Sequence, residues 1–157
     1  MIRRTAAIAI AAVGAAALAV PLHAADFRTT ADAPTVLYDA PSAKARPQFV
    51  FGRDVPLEVL VTVEGWTKVR DVSGTIGWIA NKSLAERRVL QVRVASADVR
   101  ASPDDAAPLS FRAAESVLLE LAEPASSPGT TASPGWVKVK HRDGVAGYVR
   151  VSQVFGL

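Results

Sequence analysis

The chain of 157 residues reads as an all-β protein built from two small, similar units in tandem. Three observations predict this. Gly65-Trp66-Thr67-Lys68-Val69-Arg70 recurs as Gly135-Trp136-Val137-Lys138-Val139-Lys140, and a detailed internal duplication implies two copies of one structural unit. Apolar residues recur at period two in short runs, as in Val55, Leu57, Val59 and Val61, the pattern of a strand with one buried face. Turn-forming residues separate these runs, and few stretches carry helical periodicity.

In the first copy, Thr35 to Asp39 reads as a strand, Ala40-Pro41-Ser42 as a turn and Gln48 to Phe51 as the returning strand. Pro56 in the next run marks an edge or an irregular start, because proline cannot donate to a ladder. Four residues, Val61 to Glu64, turn the chain into Trp66 to Asp71. A turn around Gly74 then leads to Ile76 to Ile79, and Asn81 to Leu84 reads as one turn of 3₁₀ helix. Gly74 and Gly144 sit where a hairpin turn needs positive φ. Gly77 and Gly147 fall within strands, where glycine marks a bulge or a close backbone approach. Val69 and Val139 are expected to face inward, with Lys68 and Lys138 toward solvent.

The second copy opens at Val89 to Val94. Val117 to Leu121 matches Val55 to Val59 at an offset of 62, whereas the Gly-Trp motif matches at 70. The extra residues fall in the Pro/Ser/Thr-rich stretch 124–134, an inserted loop. Phe111 to Ser116 is placed at a strand–turn junction by its match to Phe51 to Asp54.

Residues 1–24 have the form of an export signal: Arg3 and Arg4, an uncharged alanine-rich run, then small residues at a cleavage site after Ala24. The run is short of the ~20 apolar residues of a membrane span, so no stable membrane anchor is expected after cleavage. Loss of Arg3 and Arg4 from 18 basic residues leaves 16 against 15 acidic ones, a net charge of +1. Nothing then resembles a phosphate-tracking stripe, and nucleic acid is not an expected partner. There is no cysteine, which excludes disulfides and thiolate metal sites. About 133 residues remain, enough for two units each near the size where a lone core is marginal, so they are expected to pack together.

The order of elements, with Gly-Trp entering one strand and Gly-aromatic-Ile/Val preceding a single closing turn, resembles the bacterial SH3-like (SH3b) domain. The resemblance covers both copies and implies two small SH3-like β-barrels in tandem, 25–86 and 87–157. Leu37-Tyr38-Asp39 is similar to the ALYDY element of eukaryotic SH3 domains, and Leu109-Ser110-Phe111 to a segment that follows it. The whole resembles exported tandem SH3-like proteins of Gram-negative bacteria, which implies a periplasmic or secreted location. By the same resemblance Tyr38, Trp66 and Trp78 occupy positions of an aromatic ligand groove; half-buried barrel residues are the alternative role. The closing segment departs from the eukaryotic pattern at Ala80 and Ser83, and at Arg150 and Gln153 in the second copy, where Tyr38 is replaced by Arg100.

Catalytic, cofactor and metal sites are not expected. His23 lies at the cleavage site, and His141 reads as a solvated turn histidine with no nucleophile pattern near it. Asp104-Asp105 reads as turn chemistry, and Arg87-Arg88 as a solvated link or a contact to an acidic partner. The expected function is a non-enzymatic binding module for a peptidoglycan peptide or an envelope-protein segment. The alternatives are an adaptor without a small ligand and an accessory subunit of a separate cell-wall enzyme. A hydrolase is disfavoured, because the two units leave no residues for a catalytic domain.

Overall fold

The computed structural model describes residues 25–31, 34–122 and 135–157. The expected export signal over 1–24, His23 and the expected loop insertion over 124–134 lie outside the described residues. The first set of elements is β1 (Asp26–Thr30), β2 (Thr35–Tyr38), β3 (Pro47–Phe51), β4 (Pro56–Val63), β5 (Trp66–Arg70), β6 (Ile76–Ala80), a 3₁₀ turn (Asn81–Ser83) and β7 (Leu84–Ala85). The second is β8 (Val89–Val92), β9 (Ser96–Arg100), β10 (Leu109–Ala114), β11 (Leu118–Leu121), β12 (Trp136–Lys140), β13 (Ala146–Arg150), a 3₁₀ turn (Val151–Gln153) and β14 (Val154–Phe155).

Each set forms one seven-stranded antiparallel sheet, and the two strand orders correspond position by position: β3-β2-β6-β5-β4-β1-β7 and β10-β9-β13-β12-β11-β8-β14. Leu37, Leu57, Val69 and Ile79 are fully buried although they come from a single sheet. A single sheet encloses side chains completely only by wrapping on itself, so each set is a small barrel around its own core. The all-β reading holds, and β1 is a strand that the sequence reading did not resolve.

The duplication extends to features of the backbone. Gly74 and Gly144 have φ of 89° and 94°, as their hairpins require. Asp54 and Ser116 also adopt positive φ, 62° and 67°, at equivalent corners before β4 and β11. Their amides donate to Thr30 and Val92 carbonyls at 3.0 and 2.9 Å, which holds this costly conformation in place.

Two local expectations are corrected. Val61 does not share the buried face of β4. A bulge between Val59 and Val61 sets Val61 opposite Lys68 on the outer face, and Val61 and Val63 are exposed. The same register carries β4 to Val63 opposite Trp66, so the hairpin turn is Glu64-Gly65 and not four residues. As expected, Lys68 and Lys138 stand on the outer face opposite the buried Val69 and Val139; they are half-buried there, with their ammonium groups 5.9 and 5.8 Å from the ring centroids of Trp78 and Tyr148. Pro56 occupies the first position of β4, the irregular start that proline tolerates.

The two cores differ in chemistry. Thr30, Thr35 and Thr67 are buried in the first barrel where Val92, Ala97 and Val137 stand in the second. Each buried hydroxyl needs a partner. Thr30 Oγ1 donates to the Gly52 carbonyl at 2.8 Å and accepts from the Val55 amide at 2.9 Å. Thr67 Oγ1 donates to Asn81 Oδ1 at 2.7 Å.

The barrels touch through named contacts. Phe27 meets Phe155 edge-to-face at 5.2 Å. Arg87 is exposed but not unpaired: its guanidinium pairs with Asp54 of the first barrel at 2.8 Å and Glu120 of the second at 3.0 Å. At Gly156 a Cβ would lie 2.7 Å from the Val89 carbonyl oxygen and 3.2 Å from Pro56 Cβ, so this junction accepts only glycine without rearrangement.

Candidate functional site

Strand alternation places the aromatic residues. Leu37, Val69 and Ile79 point into the first core, so Tyr38, Lys68, Trp78 and Ala80 point outward from β2, β5 and β6. Tyr38 is paired directly with Trp78, and Trp66 with Ala80. Because Ala80 is small, the Trp66 ring reaches Tyr38, and the two meet edge-to-face with centroids 5.5 Å apart. Tyr38 and Trp66 line an open groove of about 540 Å³, together with Pro34, Val36, Ala80 and Lys82. Trp78 shares this face but does not line the groove; its ring carries Lys68 instead. All three rings are half-buried.

The close packing of β2 on β6 that creates this face rests on Gly77. A Cβ there would lie 2.6 Å from Leu37 Cγ and 2.8 Å from the Tyr38 carbonyl oxygen. Gly147 does the same in the second barrel, at 2.7 Å from both the Arg100 carbonyl oxygen and Val99 Cγ1. The expectation of close backbone approach at these glycines is met.

A second groove, of about 430 Å³, occupies the equivalent place in the second barrel. Its chemistry is opposite. Arg150 stands where Ala80 stands and lies over the Trp136 ring, with its guanidinium carbon 4.3 Å from the centroid. Trp136 is left only 5% exposed. Arg150 also pairs with Asp105, its Nε donating to Oδ1 at 3.3 Å. Arg100, at the Tyr38 position, donates to Asp98 at 3.1 Å and to the Ala107 carbonyl at 2.8 Å. Arg112 donates from Nε to Asp98 at 3.0 Å. The 62 and 70 offsets of the repeat already contain these exchanges, since they align Ala80 with Arg150 and Ala43 with Asp105.

The remaining candidates are occupied locally. Asp104 caps its own turn, accepting from the Ala106 amide at 2.9 Å. His141 is half-buried and not simply solvated: Nδ1 lies 2.9 Å from Asp143, and its ring lies 5.8 Å from Phe111. The Asp143 carboxyl is held below its ordinary value, first by the Val145 amide that donates to it at 2.9 Å and then by His141. A carboxyl depressed on folding stabilises the native state above its unfolded pKa and loses that contribution as pH falls through the lower, native value. Asp143→Asn is therefore expected to reduce stability slightly at neutral pH and to make no difference in strong acid, as read by urea denaturation across that range. Among the described residues, no three His, Cys, Asp or Glu side chains converge as metal ligands would.

Residues 31–86 match the family model of the bacterial SH3 domain. This span holds β2 to β7 and the whole aromatic groove, so the chain carries a bacterial SH3-like domain there. No curated protein matches the chain. Among solved structures, NlpC1 from Trichomonas vaginalis is 16% identical, with 87% of this chain and 47% of that chain covered and a TM-score of 0.38. An NlpC/P60 family protein from Bacillus cereus is 12% identical, with 83% and 56% covered and a TM-score of 0.35. This chain thus spans about half the length of the solved structures it resembles.

Proposed function

We propose that the protein is a non-enzymatic module of the bacterial periplasm that binds an extended peptide segment, from the cell wall or an envelope protein, in the groove of its first barrel. The observation that carries this reading is the Tyr38–Trp66 pair, half-buried and edge-to-face along an open groove. Such a pair offers a ligand rigid, amphipathic surface at small entropic cost, because the rings hold one another in place. Extended peptides suit narrow aromatic grooves, where shape and stacking select the backbone conformation. Trp78 contributes less in this reading than Tyr38 and Trp66, since it stands outside the groove. The match of residues 31–86 to the bacterial SH3 domain supports a binding role for this half.

Co-sedimentation with insoluble peptidoglycan tests the reading. Wild-type protein is expected in the pellet at low salt. Trp66→Ala should lose about 2 kcal/mol of binding, the size of an interface anchor, and should remain largely in the supernatant. Trp78→Ala should bind nearly as wild type. Failure of the wild type to pellet would remove the cell-wall ligand, and unchanged binding by a folded Trp66→Ala would remove the groove.

A further inference from the structure

The second groove is a counterpart of the first in which apolar positions have been exchanged for charge in matched pairs. Val36, Tyr38, Ala43 and Ala80 correspond to Asp98, Arg100, Asp105 and Arg150, and Arg112 joins from β10. Three guanidinium groups face two carboxylates, which leaves one positive charge in excess. Asp98 is divided between Arg100 and Arg112. Asp105 is a loosely held partner for Arg150, since its side chain is 72% exposed and lies on a loop between strands. Surface pairs of this kind exchange readily with competing ions. Gln153 lines the same groove, and its Oε1 is buried without a hydrogen-bond partner.

We infer that the second groove binds a peptide carboxylate. The carboxylate shares the Arg150 guanidinium with Asp105 and brings the groove to three carboxylates against three arginines. Trp136 lies beneath the Arg150 guanidinium, 4.3 Å from its carbon, and supports a planar group whose remaining N–H donors can contact a carboxylate. An excess of a single charge suits a monoanion, whereas a phosphate dianion would remain undercompensated. The inference does not depend on what the first groove binds.

The test follows the arginine Nε–H and tryptophan indole N–H signals of the nitrogen-15-labelled protein during titration. The probes are acetyl-Ala-Glu-Ala-amide, acetyl-Ala-Gln-Ala with a free C-terminus, acetyl-Ala-Gln-Ala-amide and inorganic phosphate. Saturable shifts of Arg150 and Trp136 with either carboxylate peptide support the site, and the peptide that saturates identifies a side-chain or a terminal carboxylate. Asp105→Asn removes the internal competitor and is expected to tighten binding several-fold. Arg112→Ala, at an exposed side chain that folding tolerates, is expected to weaken it several-fold. No saturation by either carboxylate, equal shifts from the neutral amide or from phosphate, or an affinity unaltered by Asp105→Asn would each overturn the inference.

Discussion

Leu57→Ala is expected to destabilise the first barrel by about 2–5 kcal/mol, the range for removing a fully buried leucine side chain and leaving a cavity. Leu57 is completely buried and belongs to a core cluster of Leu37, Phe51, Leu57, Val69 and Ile79. The second barrel's cluster holds ten buried residues among those described, including Leu119 at the equivalent position. Threonines occupy positions in the first barrel that valine and alanine fill in the second, so less apolar area stabilises it. A domain of about sixty residues retains a small net stability, and a loss of this size is enough to unfold it. Leu119→Ala removes the same atoms from a larger apolar cluster and is expected to leave its barrel folded under native conditions.

Denaturation followed by tryptophan fluorescence separates the two outcomes, because Trp66 and Trp78 report the first barrel and Trp136 the second. Leu57→Ala should shift the Trp66 and Trp78 transition to lower denaturant and leave the Trp136 transition largely in place. If both move together, the Phe27–Phe155 contact and the Arg87 bridge couple the barrels into one cooperative unit. The proposal that 25–86 and 87–157 are separate domains would then fail. Equal effects of Leu57→Ala and Leu119→Ala would instead remove the argument from core composition.

Much of this architecture was legible in the sequence because its signals are local. The Gly-Trp-x-Lys-Val repeat, the positive-φ glycines and the strand alternation each depend on residues a few positions apart. Features that depend on pairing across strands were not legible. The bulge that turns Val61 outward arises from the register of β4 on β5, and no residue in Val59 to Val61 marks it. Asp54 and Ser116 adopt positive φ without being glycine, held by hydrogen bonds from their amides to distant carbonyls. The candidate site was legible in part. Tyr38 and Trp66 meet because Ala80 lies opposite Trp66, and Trp78 is set apart because Lys68 lies opposite it. Arg87 reads as a linker residue until the folded chain places Asp54 and Glu120 on either side of it.

Gly77→Ala is expected to cost about 1–3 kcal/mol, as overpacking of a tight site does, and to weaken the aromatic groove as well. The added methyl would meet Leu37 Cγ at 2.6 Å and the Tyr38 carbonyl oxygen at 2.8 Å. Leu37 can change rotamer, but the carbonyl belongs to the β2 backbone and can yield only if β2 moves away from β6. That movement carries Tyr38 with it and opens the 5.5 Å contact with Trp66. Gly147→Ala meets a backbone oxygen and Val99 Cγ1, both at 2.7 Å. Valine has little rotamer freedom with which to retreat, so the larger loss of stability is expected there. The two substitutions therefore separate stability from binding. Gly147→Ala should lower the unfolding midpoint of the second barrel and leave peptidoglycan sedimentation unchanged, whereas Gly77→Ala should reduce both the midpoint of the first barrel and the pelleted fraction. Full sedimentation by a measurably destabilised Gly77→Ala protein would show that the Tyr38–Trp66 geometry is not what the ligand reads.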